Sequence, residues 1–114
     1  MLDYSDPLSP LFAALADPNR RAMVEALSRG AAPVGRLAEG LPITLAATLQ
    51  HVQALEGAGL IETEKKGRSR VCRLAPGGLV PLREWVAARE AFWHAQFDQL
   101  GRYLDEISPE GDDT

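Results

Sequence analysis

"TLQHVQALEGAGLI", residues 48–61, sets Leu49, Val52 and Leu55 on one helical stripe and closes on the glycines 57 and 59. Its opposite face shows Gln50 and Gln53, two neutral planar amides that each donate and accept hydrogen bonds. A helix that needs only solubility more commonly carries Glu and Lys there. What flanks this helix decides what the amide face is for.

Upstream, Asp6 and Pro7 open a first helix over about 7–16, with Leu8, Leu11, Phe12 and Leu15 on one stripe. Asp17 caps a second helix over 18–29, in which Pro18 takes the first position, Met23 and Leu27 face the core and Gly30 supplies the left-handed residue after the last turn. A short third helix fits "VGRLAEG", with Val34, Leu37 and Ala38 inward, and Gly40 and Pro42 break it. Thr44 then caps the helix 44–56, whose core stripe is Leu45, Thr48 or Leu49, Val52 and Leu55. Gly57 or Gly59 serves as its C-cap. Downstream the period changes to two, and "LIETEKKGRSRVCRL" predicts a two-stranded basic hairpin over 61–74 turned at Gly67. A long helix over 79–107 follows, in which Val86, Trp93, Leu100 and Ile107 repeat every seven residues beside Leu82, Phe97 and Leu104.

A length of 114 residues with 46% hydrophobic and 25% charged residues fits a single folded domain, read as 1–107, followed by an acidic tail, 108–114, too apolar-poor to fold. The opening "MLDYSDPLSP" lacks the basic start and apolar middle of a signal peptide, and no run is long enough to span a membrane, so a cytoplasmic protein is expected. Cys72 is the one cysteine, so no internal disulfide forms. The net charge of −4 hides a segregation: residues 18–73 hold nine of the twelve basic residues and only five of the sixteen acids. The middle of the chain is positive and suits a polyanion.

The predicted order of helix, helix, short helix, turn, helix, basic hairpin and long helix is mainly α with one hairpin. It is the order of a winged helix-turn-helix with a C-terminal dimerisation helix. In that arrangement the helix 44–56 enters a DNA major groove, where the Gln50 amide N–H donates to adenine N7 while its carbonyl oxygen accepts from the N6 amino group. Gln53 stands beside it, and Ala46 and Ala47 admit close approach, their methyls meeting a thymine methyl. Lys65, Lys66, Arg68 and Arg70 of the hairpin lie along phosphates or a minor groove, adding affinity with little sequence content.

In "LADPNRRAMVEAL", "LQHVQALEGAGLIETEKKGRSRVCRL" and "REWVAAREAFWHAQFDQLGRYL" the chain resembles the ArsR-type winged-helix repressors over nearly its whole length. The resemblance implies a homodimer that binds an imperfect palindrome in double-stranded DNA, represses, and releases on a signal. It places recognition on Thr44, Ala47, Gln50 and His51 and the wing on Lys65, Lys66, Arg68 and Arg70. The dimer seam is expected on the first and last helices, at Leu11, Leu15, Leu82, Val86, Trp93, Phe97, Leu100 and Leu104. A small-molecule effector of unspecified chemistry counts among the expected partners.

The departures from that pattern shape the remaining expectations. Metal-sensing members carry a Cys-x-Cys pair in the third helix, and "VGRLAEG" holds no ligand. His94 with Glu90 and Asp98 shares one helix face and reads as a solvated surface, so neither metal nor cofactor is expected. Zinc, cadmium or arsenite should then leave the protein–DNA complex intact, and reversible release by micromolar metal would overturn that reading. His51 borders the core stripe, with an internal partner and a phosphate equally open to it. Cys72 reads as a small packed residue rather than a redox switch. Trp85, Phe92, Trp93 and Phe97 are explained by core and interface packing before any effector pocket. The rival function is a winged-helix protein-interaction module. An enzyme is not expected, because His51, His94 and Cys72 form no matched nucleophile and base.

Overall fold

The structure is a computed structural model and describes residues 6–107. The expected acidic tail lies outside the described residues. Contacts divide the chain into two compact units, Met1–Pro81 and Leu82–Thr114. Every buried residue among those described falls between Leu11 and Cys72, in the first unit. None of the described helices is long and apolar enough to cross a membrane.

The first unit contains α1 (Leu8–Leu15), α2 (Pro18–Leu27), β1 (Ala32–Pro33), α3 (Val34–Glu39), α4 (Leu45–Gly57), β2 (Ile61–Lys66) and β3 (Ser69–Leu74). Side-chain carboxylates start the first two helices. Asp6 accepts from the Leu8 and Ser9 amides at 2.6 and 3.1 Å. Asp17 accepts from the Asn19 and Arg20 amides at 2.8 and 3.1 Å, with Pro18 in the first turn as expected. The bond from the Arg20 amide holds the Asp17 carboxyl below its ordinary value. Its stabilising effect is therefore present above the ordinary carboxylate pKa and is lost as pH falls through the lowered one. α2 ends at Leu27, two residues before the sequence reading, because Ser28 and Arg29 already form the closing turn that delivers the Gly30 amide to the Leu27 carbonyl.

The core is shared by all the helices of this unit and the root of the sheet: Leu11, Met23, Leu27, Val34, Leu37, Val52, Leu55, Leu60, Ile61 and Cys72. Two expectations about it change. Leu11 is 1% exposed and packs inside the single chain, so it is a core residue and not part of a dimer seam; Phe12 is the large apolar side chain that α1 exposes. On α4 the buried stripe is Thr48, Val52 and Leu55, while Leu45 is 55% and Leu49 38% exposed. Both phases satisfy the three- and four-residue spacing. Thr48 occupies the core because its hydroxyl donates to the Thr44 carbonyl at 2.9 Å, so burial leaves no polar group unpaired.

α4 ends with the Leu60 amide on the Leu55 carbonyl at 3.0 Å and Gly59 at φ +81°, a left-handed C-cap that turns the chain directly into β2. Gly57, the other candidate, remains inside the helix. The hairpin closes through Gly67 and Arg68, with Lys66 opposite Ser69. Gly67 has φ +63° and Arg68 does not have positive φ, the pattern of a type II′ turn. The sheet has three strands in the order β1-β3-β2, all antiparallel, not the two expected. β1 escaped sequence reading because it is two residues long and contains Pro33, which an edge strand tolerates.

The second unit is occupied by α5 (Val80–Ile107), which begins at the end of the first. It is 28 residues long and none of them is buried. Val86, Trp93, Phe97, Leu100, Leu104 and Ile107 are all exposed in the single chain. Trp93 and Phe97 stack at 5.8 Å, and the Arg89 guanidinium lies 5.3 Å from the Trp85 ring centroid.

Candidate nucleic-acid interface

α4 turns by roughly 100° per residue, so the buried stripe at Thr48, Val52 and Leu55 fixes what every other position faces. Opposite it lie Ala46, Gln50 and Gln53, all exposed. One flank carries Leu45, Leu49 and Glu56 and faces the hairpin, to which the Glu56 carboxylate is joined by accepting from the Thr63 hydroxyl at 3.0 Å. The other flank carries Ala47 and His51, both half-buried. Thr44 caps the helix, its hydroxyl accepting from the Ala47 amide at 3.0 Å. The residues expected to read bases thus divide into an outward row of 46, 50 and 53 and a flank that the protein itself partly occupies.

His51 is the clearest case of the latter. The Arg20 Nη1 donates to His51 Nδ1 at 3.1 Å, while Arg20 Nε and Nη2 donate to the Ala14 and Ala13 carbonyls at 2.7 and 3.2 Å. A guanidinium cannot accept, so Nδ1 is the acceptor and the imidazole proton sits on Nε2. Of the two roles open to His51, the internal one is realised, on the flank away from the hairpin. His51 thus stands beside the outward row of 46, 50 and 53 rather than in it, on the half-buried flank with Ala47.

The hairpin separates its charges by face. Lys65 stands opposite Arg70 on the same side as Ile61, Thr63 and Cys72, whereas Lys66 shares the other side with Glu62, Glu64 and Arg73. Arg73 pairs with Glu62 at 3.2 Å and Glu64 at 3.7 Å, and Lys66 approaches Glu64 at 3.7 Å. These exposed pairs add little stability. They do offset Lys66, so the cations available to a polyanion are foremost Lys65, Arg68 and Arg70. Arg70 donates to the Thr63 hydroxyl at 2.9 Å, which completes a chain from α4 through Glu56 and Thr63 to the hairpin and holds the two elements in register.

Cys72 is 0% exposed at the root of the hairpin. Burial pushes its thiol above the ordinary value, and Glu56 adds to that push against the opposing Arg70. A reactive thiolate requires the reverse. Among the described residues no group of three or more His, Cys, Asp and Glu side chains gathers as metal ligands would.

A helix-turn-helix whose second helix shows two amides outward beside a cationic hairpin defines a DNA-binding transcriptional regulator of the winged-helix class. Residues 15–64 match the helix-turn-helix domain family, a span that ends in the hairpin's first strand. The chain is 42% identical over 101 residues to the HTH-type transcriptional regulator Rv2034 of Mycobacterium tuberculosis, covering 89% of each protein. Among solved structures it is similar to the ArsR family transcriptional regulator RHA00566, at 37% identity and a TM-score of 0.74, over 78% of this chain and 98% of that one. It shares its fold with Mb0332 of Mycobacterium bovis, described as a homodimeric winged helix-turn-helix DNA-binding domain, at 23% identity and a TM-score of 0.61, over 80% of this chain and 91% of that one. The chain belongs to the ArsR family of winged helix-turn-helix transcriptional regulators. The rival reading as a protein-interaction module finds no relative among these.

Proposed function

We propose that the protein is a homodimeric repressor that reads an imperfect palindrome through Ala46, Gln50 and Gln53 of α4 and grips the flanking backbone with Lys65, Arg68 and Arg70 of the hairpin. The observation that carries this is the outward amide row on a helix tied to a cationic hairpin. The two surfaces have different physics, because a base edge is read by hydrogen bonds in fixed geometry and a phosphate by charge. Two copies joined by α5 present two such rows, which is what a palindrome needs. The family neighbour from Mycobacterium bovis is itself homodimeric.

Fluorescence anisotropy on the promoter of the protein's own gene and on a random duplex, across a salt series, tests the division of labour. Gln50→Ala is expected to weaken the promoter complex by about 1–3 kcal/mol and the random complex little, shrinking the specificity ratio. Arg68→Ala is expected to weaken both alike and to reduce the slope of log affinity against log salt by about one unit. Base readout by α4 is refuted if Gln50→Ala leaves promoter binding and the ratio unchanged.

A further inference from the structure

Leu45 and Leu49, expected in the core, stand outside it, and Arg36 of α3 has no role in the interface described so far. The structure brings all three to one place. A groove of about 500 Å³ runs between α3, the hairpin-facing flank of α4 and the hairpin tip, and its walls include Arg36, Glu39, Leu45, Leu49, Arg68 and Arg70. Three guanidiniums therefore share the groove with a single carboxylate. Among the described residues neither Arg36 nor Arg68 makes a side-chain hydrogen bond or ion pair, and the one bond of Arg70 to Thr63 leaves most of its donors unused.

The chemistry of the occupant follows from the two kinds of wall. A small free anion satisfies the arginines but leaves an exposed leucine pair uncovered. An apolar peptide covers the leucines but leaves the charge unmet. A phosphodiester strand does both, since its phosphates carry the negative charge while its deoxyribose rings present C–H edges between them. The location agrees. The groove separates the amide row of α4 from the hairpin, and in a duplex a backbone strand separates the major groove that a helix enters from the minor groove that a wing reaches. We propose that this groove seats one phosphodiester strand of the bound DNA, with Arg36 as a third cation beside Arg68 and Arg70 and with Leu45 and Leu49 lying under the sugars. The proposal rests on the reading of α4 as the major-groove helix and adds a contact outside both that helix and the wing.

The test uses the full-length chain with the promoter duplex and a random duplex of equal length between 50 and 200 mM salt. Arg36→Ala is expected to weaken both duplexes alike and to flatten the salt dependence by about one unit, so that the fourfold rise in salt weakens the wild type about 3.5-fold more than the variant. Arg36→Lys, which keeps the charge, should retain the wild-type slope. Leu49→Glu places a carboxylate among the arginines and is expected to weaken both duplexes by about tenfold or more, with Leu49→Ala falling well short of that. If Arg36→Ala leaves affinity and slope unchanged while Arg68→Ala alters them, the strand does not lie in this groove and the reading of α4 survives. If the wild type binds neither duplex with a salt-dependent affinity, the DNA-binding reading itself fails and the proposal falls with it.

Discussion

Trp93→Asp is expected to turn the protein into a monomer in solution and to lower its affinity for the promoter duplex by about 10²- to 10⁴-fold, the advantage that linking two half-site readers confers. The reason lies in α5. Trp93 is 58% exposed in the single chain, in the middle of a stripe formed by Val86, Leu100 and Ile107 at seven-residue intervals and broadened by Phe97 and Leu104. So long an apolar stripe, left uncovered, would be an aggregation hazard, and the seven-residue repeat is the spacing with which one helix packs along another. An aromatic residue at the centre of such a seam carries a large share of its energy, and a carboxylate there would be buried without a partner. Because Trp93 contributes nothing to the core of residues 11–72, circular dichroism and the unfolding of that unit should change little. Light scattering gives the mass and anisotropy the affinity. A variant that stays dimeric and binds the promoter as tightly as wild type shows that the seam is elsewhere.

What could be read from the sequence alone was what local chemistry decides. Asp17 before Pro18, Thr44 before α4, Gly59 as one of the two candidates after it and Gly67 in the hairpin each solve a backbone problem within a few residues of themselves. The phase of α4 was not legible in the same way. Leu45 and Leu49 satisfy the periodicity as well as Thr48 does and are more apolar, so only the neighbours of the helix select Thr48 for the core. The same holds for His51, whose partner Arg20 is 31 residues away. Leu11 belongs to the apolar stripe of α1, which periodicity alone assigns equally to a core or to a seam, and packing inside the unit claims it. β1 was invisible because two residues carry no period. The arginine groove joins residues from α3, α4 and the hairpin, and a site assembled from three elements leaves no signature in any one of them. The amide row at Gln50 and Gln53 was legible because a single helix presents it.

Leu55→Ala should destabilise the fold by about 2–5 kcal/mol, the range for truncating a fully buried leucine. Leu55 is 0% exposed, and it stands well over a right angle around α4 from Gln50. Its methyls are packed where α4 meets the rest of the core, and the cavity left by truncation cannot collapse easily because Thr48 and Val52 beside it are held by the same stripe. Against a typical total stability of about 5–15 kcal/mol this is a large fraction, so the urea midpoint should fall by about 1 M or more at fixed protein concentration. DNA reading should respond differently. In the fraction that remains folded, Ala46, Gln50 and Gln53 keep their positions on the outer face, so the ratio of promoter to random affinity should stay near that of the wild type at a temperature where both proteins are folded. Gln50→Ala is expected to show the mirror image, an unchanged midpoint with a reduced ratio. The two variants measured side by side separate the two faces of one helix. A Leu55→Ala protein with an undiminished midpoint would show that α4 is not anchored by this stripe. One whose specificity ratio collapses as it does in Gln50→Ala would show that the reading face depends on core packing rather than on the side chains it exposes.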